Sequence, residues 1–203
     1  MPNNVHKEKY MKKALLVALA LIASVAQAED KPAKNFIQLQ YAYRDTIASD
    51  KADPNRQGVN FTFGTKVLEN LTWDVNNQFR SENGQNGNEA TRLETGLSYQ
   101  YGVLKDVALY TRGAVGYKYT NGADHSYYSV EPGVKVQLTS PLAVKVGYRF
   151  RDSFSDSYLD QTNTLRLGAE YTLTENTAVT AGLDRSWKDS EFVGANAGYV
   201  VKF

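Results

Sequence analysis

The sequence predicts an all-β fold: a transmembrane antiparallel up-and-down β-barrel of about ten strands, with eight or twelve as the alternatives. Three observations point there. Apolar residues alternate with polar or small ones in stretch after stretch from Asn35 onward, the period with which a strand shows one face to each side of a sheet. A leader with basic, apolar and small-residue parts stands at the front, and no later run stays apolar long enough for a spanning helix. The aromatic residues gather at the two ends of the alternating stretches with aliphatic residues between them, which suits a bilayer with two interfaces.

The leader is read first. Lys7, Lys9, Lys12 and Lys13 precede the apolar run Ala14 to Val25, and Ala26-Gln27-Ala28 forms a small-x-small site before Glu29. Residues 1–28 therefore read as a secretory signal peptide cleaved near Ala28. Met11-Lys12-Lys13 is an alternative start, which would leave residues 1–10 upstream of the true one. Residues 29–203 read as the barrel domain. Without the leader the chain keeps 19 basic and 21 acidic residues, a net charge of −2, which argues against a nucleic-acid partner. There is no cysteine, so disulfides, Cys-based zinc sites and thiol nucleophiles are excluded. A membrane protein without a spanning helix must close into a barrel, because lipid leaves backbone polar groups no other partners.

Each strand then follows in order. The first, Phe36 to Asp45, turns Ile37, Leu39, Tyr41 and Tyr43 outward and Gln38, Gln40, Ala42 and Arg44 inward. A polar loop, Thr46 to Gln57, leads to the second, with Val59, Phe61, Phe63, Thr65 and Val67 outward. Leu68-Glu69-Asn70 is a short turn. The third sets Leu71, Trp73, Val75 and Phe79 against Thr72, Asp74, Asn76, Gln78 and Arg80. A Gly/Asn-rich loop, Glu82 to Glu89, precedes the fourth, with Leu93, Thr95, Leu97, Tyr99 and Tyr101 outward. Leu104-Lys105-Asp106 turns into the fifth, Val107 to Tyr119, and Asn121-Gly122 into the sixth, Tyr128 to Leu138. Pro132 lacks a ladder donor and implies a bulge or kink. After Thr139-Ser140-Pro141 come the seventh, Leu142 to Phe150, an acidic serine-rich loop from Ser153 to Gln161, and the eighth, Leu165 to Leu173. Glu175-Asn176 turns into the ninth, Val179 to Trp187, and Lys188-Asp189-Ser190 into the last, Phe192 to Phe203. Ten is even, and short turns alternate with longer polar loops, as in bacterial barrels.

Function is carried by the inward face. Its basic members are Arg44, Lys66, Arg80, Arg92, Arg112, Lys118, Lys135, Lys145, Arg149, Arg151, Arg166, Lys188 and Lys202; its acidic ones are Asp74, Glu94, Glu131, Glu170 and Asp184. Other negative charge falls in the loops: Glu82, Glu89, Asp124, Asp152, Asp156, Asp160 and Asp189. The first, second, ninth and tenth strands offer a barer wall, with Gly194, Asn196 and Gly198 facing the basic side. Pairing places Lys145 opposite Glu170, Arg149 opposite Arg166, Arg166 opposite Asp184, and Glu131 between Arg149 and Arg151. Small barrels fill their interiors with satisfied polar groups, but an excess of cations is costly unless it meets water or an anion. A narrow anion-favouring pore and a filled barrel with a structural, adhesive or envelope-integrity role both stay open. No enzymatic activity, cofactor or metal is expected: His125 is the single histidine after the leader and reads as a solvated loop residue.

The last stretch, Val193 to Phe203, resembles the closing strand of bacterial outer-membrane barrels, which implies that Phe203 is a barrel-assembly signal. The mature chain as a whole resembles the small single-chain barrels of the Gram-negative outer membrane. Its basic inner track, densest at Tyr148-Arg149-Phe150-Arg151, is similar to that of the oligogalacturonate-specific porins. That resemblance implies a porin for passive diffusion of small anions or acidic saccharides. On it Arg80, Arg92, Arg112, Lys135, Lys145, Arg149, Arg151 and Arg166 line the path. The partners implied are outer-membrane lipid and lipopolysaccharide, the barrel-assembly machinery and small anionic solutes.

Overall fold

A computed structural model describes residues 35–46, 56–82, 89–120, 124–155, 157, 160–188 and 191–203. The expected signal peptide, its cleavage site and the Asn121-Gly122 turn lie outside the described residues.

Ten strands follow one another: β1 (Asn35–Thr46), β2 (Arg56–Leu68), β3 (Leu71–Glu82), β4 (Glu89–Leu104), β5 (Val107–Thr120), β6 (His125–Gln137), β7 (Leu142–Ser153), β8 (Thr162–Thr174), β9 (Thr177–Lys188) and β10 (Phe192–Lys202). Each pairs antiparallel with its neighbours in sequence, and β1 pairs with β10 to close the barrel. Phe203 extends that seam: Asn35 and Phe203 each donate a backbone N–H to the other's carbonyl, both at 3.0 Å. Closure leaves no open edge, which is the condition for strands to stand in lipid.

The period of two decides which residues face where. Leu93, Leu97, Leu109, Val115, Val130, Val146, Leu165, Leu167 and Leu183 are exposed on the outside. Tyr41, Tyr43, Phe79, Tyr117, Tyr119 and Tyr148 lie exposed toward one end, and Trp73, Tyr99, Tyr101, Tyr171 and Tyr199 toward the other. An apolar exterior of this extent, ringed by aromatics, is a lipid-facing surface rather than a soluble one. The buried members are largely polar, among them Asp74, Arg92, Glu94, Glu131, Arg151 and Ser186, so the barrel is inverted relative to a soluble core.

The two ends differ. One carries the start of β1, the end of β10 and tight turns, with register shifts between Lys66 and Leu68, Gly102 and Leu104, and Thr172 and Thr174. The other carries the longer connections; in bacterial barrels these face outward and the short turns face the periplasm. Pro132 does not produce the expected bulge. Val130 pairs with Phe150 and Gly133 with Gly147, so the register is the same on both sides of the proline. The ladder lapses only where the missing N–H would have met β7.

β6 begins earlier than the sequence implied. His125 is its first residue and pairs with Lys118 of β5. One register expectation holds, Arg166 opposite Asp184. Two are corrected: Lys145 stands opposite Gly168 and Arg149 opposite Thr164. A two-residue slip leaves every side chain on its expected face, so alternation alone does not detect it.

Candidate functional site

The alternate positions of all ten strands deliver their side chains to one lumen, filled in three tiers. The middle tier is a belt of ion pairs. Asp74 of β3 accepts two bonds from Arg112 of β5, Nη2 to Oδ1 at 2.5 Å and Nε to Oδ2 at 2.9 Å. Arg112 also bonds Glu94 through Nη1 at 2.6 Å. Glu94, on β4, in turn receives Arg149 from β7 across the lumen, and Arg149 also reaches Ser129 Oγ at 3.2 Å. Bidentate guanidinium–carboxylate pairs of this kind are stiff and directional.

A second chain of pairs lies beside it. Arg166 of β8 bonds Glu131 of β6 at 2.7 Å and Asp184 of β9 at 3.3 Å, and Tyr110 donates to Glu131 at 3.2 Å. Glu131 therefore pairs with Arg166. The register, with Ser129 opposite Arg151 and Val130 opposite Phe150, sets Glu131 beside Arg149 and Arg151 as expected, but those two arginines turn to Glu94 and Asp160. Tyr110 lies over Gly133 and Gly147, and Tyr127 over Gly116, where a Cβ would stand 2.5 Å from the ring. Glycine is needed there because the ring lies directly against the wall.

The tier at the loop end gathers around Asp160. Its carboxylate meets Arg151 Nη2 at 2.9 Å, Lys118 Nζ at 3.3 Å and His125 Nε2 at 3.2 Å. Burial pushes the Asp160 carboxyl up, but Arg151, Arg92 and Lys118 outweigh it and hold the group at about 2. Two sequence expectations are corrected here. Asp160 is not part of a solvated acidic rim: it is 4% exposed. His125 is not a solvated loop residue: it is 6% exposed and packed on that carboxylate. Asp124 does stand exposed and accepts a bond from the Thr120 N–H at 2.8 Å. The side chains of Glu82, Glu89, Asp156 and Asp189 lie outside the described residues.

The same end holds an excess of cations. A cavity of about 40 Å³ opens among Arg44, Arg80, Arg92, Arg149, Arg151 and Arg166, with Tyr127, Gln40, Asn60 and Asn196 also on its wall. Asp184 is its one acidic lining residue. That volume holds a few waters, a water centre needing about 10–15 Å³. Arg149, Arg151 and Arg166 each have a close carboxylate; among the described residues Arg44 has only Asp184 at 3.9 Å, and its guanidinium lies 4.1 Å over the Phe192 ring. Arg80 and Arg92 have no carboxylate within ion-pair distance among the described residues; Arg80 spends one N–H on Gln78 at 2.6 Å.

At the turn end, Lys135 stands opposite Lys145, and Lys202 pairs with Glu170 at 3.0 Å. Of the eight residues read as path-lining, five surround the cavity, Arg112 is locked in the belt, and Lys135 and Lys145 lie at the far end. Arg44 completes the cluster and was legible as inward-facing, though not as one of the eight. The lumenal tyrosines, Tyr110 and Tyr127, are not among the residues the sequence singles out, because alternation gives the face of a tyrosine but not the glycines and carboxylate it packs on. The wall read as bare is occupied: Gln38 and Gln40 both donate to Thr180 Oγ1, at 3.1 and 3.4 Å, and Gln40 also bonds Asn196. Gly198 lies beneath Gln40 and gives it room.

Comparison with known proteins agrees with this architecture. The family model described as "Outer membrane protein beta-barrel domain" matches residues 14–203. No curated protein sequence matches the chain. Among solved structures, it is similar to an outer membrane channel from Pseudomonas putida F1, with 11% identity, a TM-score of 0.53, and coverage of 87% of this chain and 98% of that one. It is also similar to the translocator domain of the autotransporter NalP from Neisseria meningitidis, with 10% identity, a TM-score of 0.51, and 98% of each chain covered. The KdgM porin in complex with oligogalacturonate aligns at 11% identity and a TM-score of 0.48, over 83% of this chain and 99% of that one. The ten-stranded closed barrel, its lipid-facing exterior and the family match over nearly the whole chain lead to one statement: this protein belongs to the outer membrane β-barrel family.

Proposed function

We propose that the protein is a narrow diffusion channel of the outer membrane that favours small anions. The observation that carries the reading is the imbalance at the loop end: six arginines surround one cavity that a single aspartate shares. Cations focused in a low-dielectric mouth raise the local concentration of anions and repel cations. An anion entering there exchanges water for guanidinium contacts. It passes the middle belt at the neutral wall of Gln38, Gln40, Thr180 and Asn196, whose amides and hydroxyls hold no fixed charge. It then meets Lys135 and Lys145 before leaving. No step in this path calls for catalysis or a cofactor.

One observation favours a second reading, a filled barrel with a structural or envelope role. The middle belt joins β3, β4, β5 and β7 across the lumen through Asp74, Arg112, Glu94 and Arg149, which narrows the passage. Planar bilayer recording under a salt gradient separates the two. The channel reading expects small unitary currents with a reversal potential on the chloride side, shifted toward the cation side by Arg80→Glu with Arg92→Glu. Silence in that assay from a correctly folded barrel would overturn it in favour of the filled barrel.

A further inference from the structure

We propose that Arg44, Arg80 and Arg92 form a binding site for a small tetrahedral dianion, a phosphoryl group or its sulfate analogue, within the outer half of the lumen. The inference deepens the anion-channel reading and rests on it only for the route of entry. Its first support is charge. Arg92 is 8% exposed and its Nε has no partner. Among the described residues Arg80 has none but neutral partners, and Arg44 shares a distant Asp184 that Arg166 holds more closely. A buried guanidinium whose charge is not fully offset is costly, and here three stand close: Arg92 has Asp160 and Glu94 within its field but no ion pair among the described residues, and Arg80 feels the charges of both Arg44 and Arg92. The other three arginines that line the cavity, Arg149, Arg151 and Arg166, are each matched to a carboxylate, so among the described residues of its lining the surplus lies with these three positions.

The second support is shape. The three side chains rise from β1, β3 and β4 and converge on one cavity with the Tyr127 side chain on its wall. A cavity of about 40 Å³ accepts an oxyanion in place of a few waters and is too small for a sugar ring. A monovalent carboxylate would offset only one of the surplus charges. A tetrahedral dianion offsets two and offers oxygens in several directions, which suits guanidinium forks arriving from different strands.

The test uses the full barrel refolded in detergent, titrated calorimetrically at mildly alkaline pH with inorganic phosphate, sulfate, glycerol phosphate, acetate and chloride. Saturable binding of inorganic phosphate and sulfate, with acetate and chloride at least tenfold weaker, is the expected result. Arg80→Gln with Arg92→Gln should weaken phosphate by about tenfold or more, the loss of charge-assisted bonds, while Lys105→Gln, in the exposed β4–β5 turn, leaves it unchanged. Arg80→Lys, which keeps the charge and the fold but not the fork, should weaken it by a smaller factor. Glycerol phosphate binding alongside phosphate would assign the site to phosphomonoesters; its exclusion would assign it to free oxyanions. No saturable phosphate binding, equal binding of acetate, or equal binding by the double variant would overturn the proposal. Binding without conductance would leave the site standing and remove the channel; anion-selective conductance without binding would do the reverse.

Discussion

Asp160 shows how much a single residue's place depends on what surrounds it. In sequence it lies in an acidic, serine-rich connection and reads as solvated. In the fold it is buried under Arg151, Lys118 and His125. Its carboxyl, held at about 2 against an ordinary 3.8, contributes stability that is fully present above the ordinary value and is lost as the pH falls through 2. The expected size is roughly 2 kcal/mol. Urea unfolding of the refolded barrel should therefore weaken between about pH 5 and about pH 2, and Asp160→Asn should flatten that slope by the share that belongs to Asp160. The glycines make a second case at this scale. Gly147 lies under the Tyr110 hydroxyl, while Gly113 has open space where a Cβ would stand. Gly147→Val should destabilise by about 1–3 kcal/mol through overpacking, whereas Gly113→Val should cost nothing measurable. Equal effects in the same unfolding assay would refute this placement of Tyr110.

At the scale of the strand, period-two patterning was enough to read ten strands, their order and the facing of most side chains, because one face meets lipid and a one-residue slip would bury charge there. It could not resolve slips of two, which is why Arg166 opposite Asp184 came out right while Lys145 opposite Glu170 did not. It also placed the start of β6 too late, because His125, Ser126 and Tyr127 do not alternate by hydropathy; their order comes from Asp160 and from pairing with β5. Closure was implied by the need to bury backbone groups, and the register of that seam is open to direct test. The chain has no cysteine, so introduced pairs report cleanly. Leu39 lies directly opposite Tyr199 on the outer face. Leu39→Cys with Tyr199→Cys should form a disulfide in high yield on mild oxidation, since directly opposed residues meet the required Cα separation. Leu39→Cys with Val201→Cys, offset by two, should not. The reverse pattern would mean that β10 is displaced along β1.

For the whole molecule, the question is what holds the lumen narrow and what would open it. The inward charge excess was legible in the sequence, but which cations are neutralised was not, because Arg149 finds Glu94 across the barrel, 55 residues away. That crossbar sets stability against width. Removing one end leaves the other charge buried: Arg149→Ser strands one oxygen of Glu94, which is 2% exposed, and breaking such a pair costs about 3–5 kcal/mol when no other partner remains. Arg112 still holds the other oxygen, so the cost should fall at or below the low end of that range. Glu94→Ser alone leaves Arg149 facing Ser129 and the cavity arginines. The double replacement, Glu94→Ser with Arg149→Ser, removes both charges together. It should therefore be more stable than the sum of the single effects, a positive coupling of the kind that double-mutant cycles resolve. It also deletes the Arg149 side chain that reaches across from β7 to Glu94 on β4. On the proposed channel reading, unitary conductance should rise several-fold in the double variant and less in either single one, while the anion preference proposed for Arg44, Arg80 and Arg92 stays. An unchanged conductance with the expected coupling in stability would show that the crossbar is structural and that the passage is limited elsewhere in the lumen.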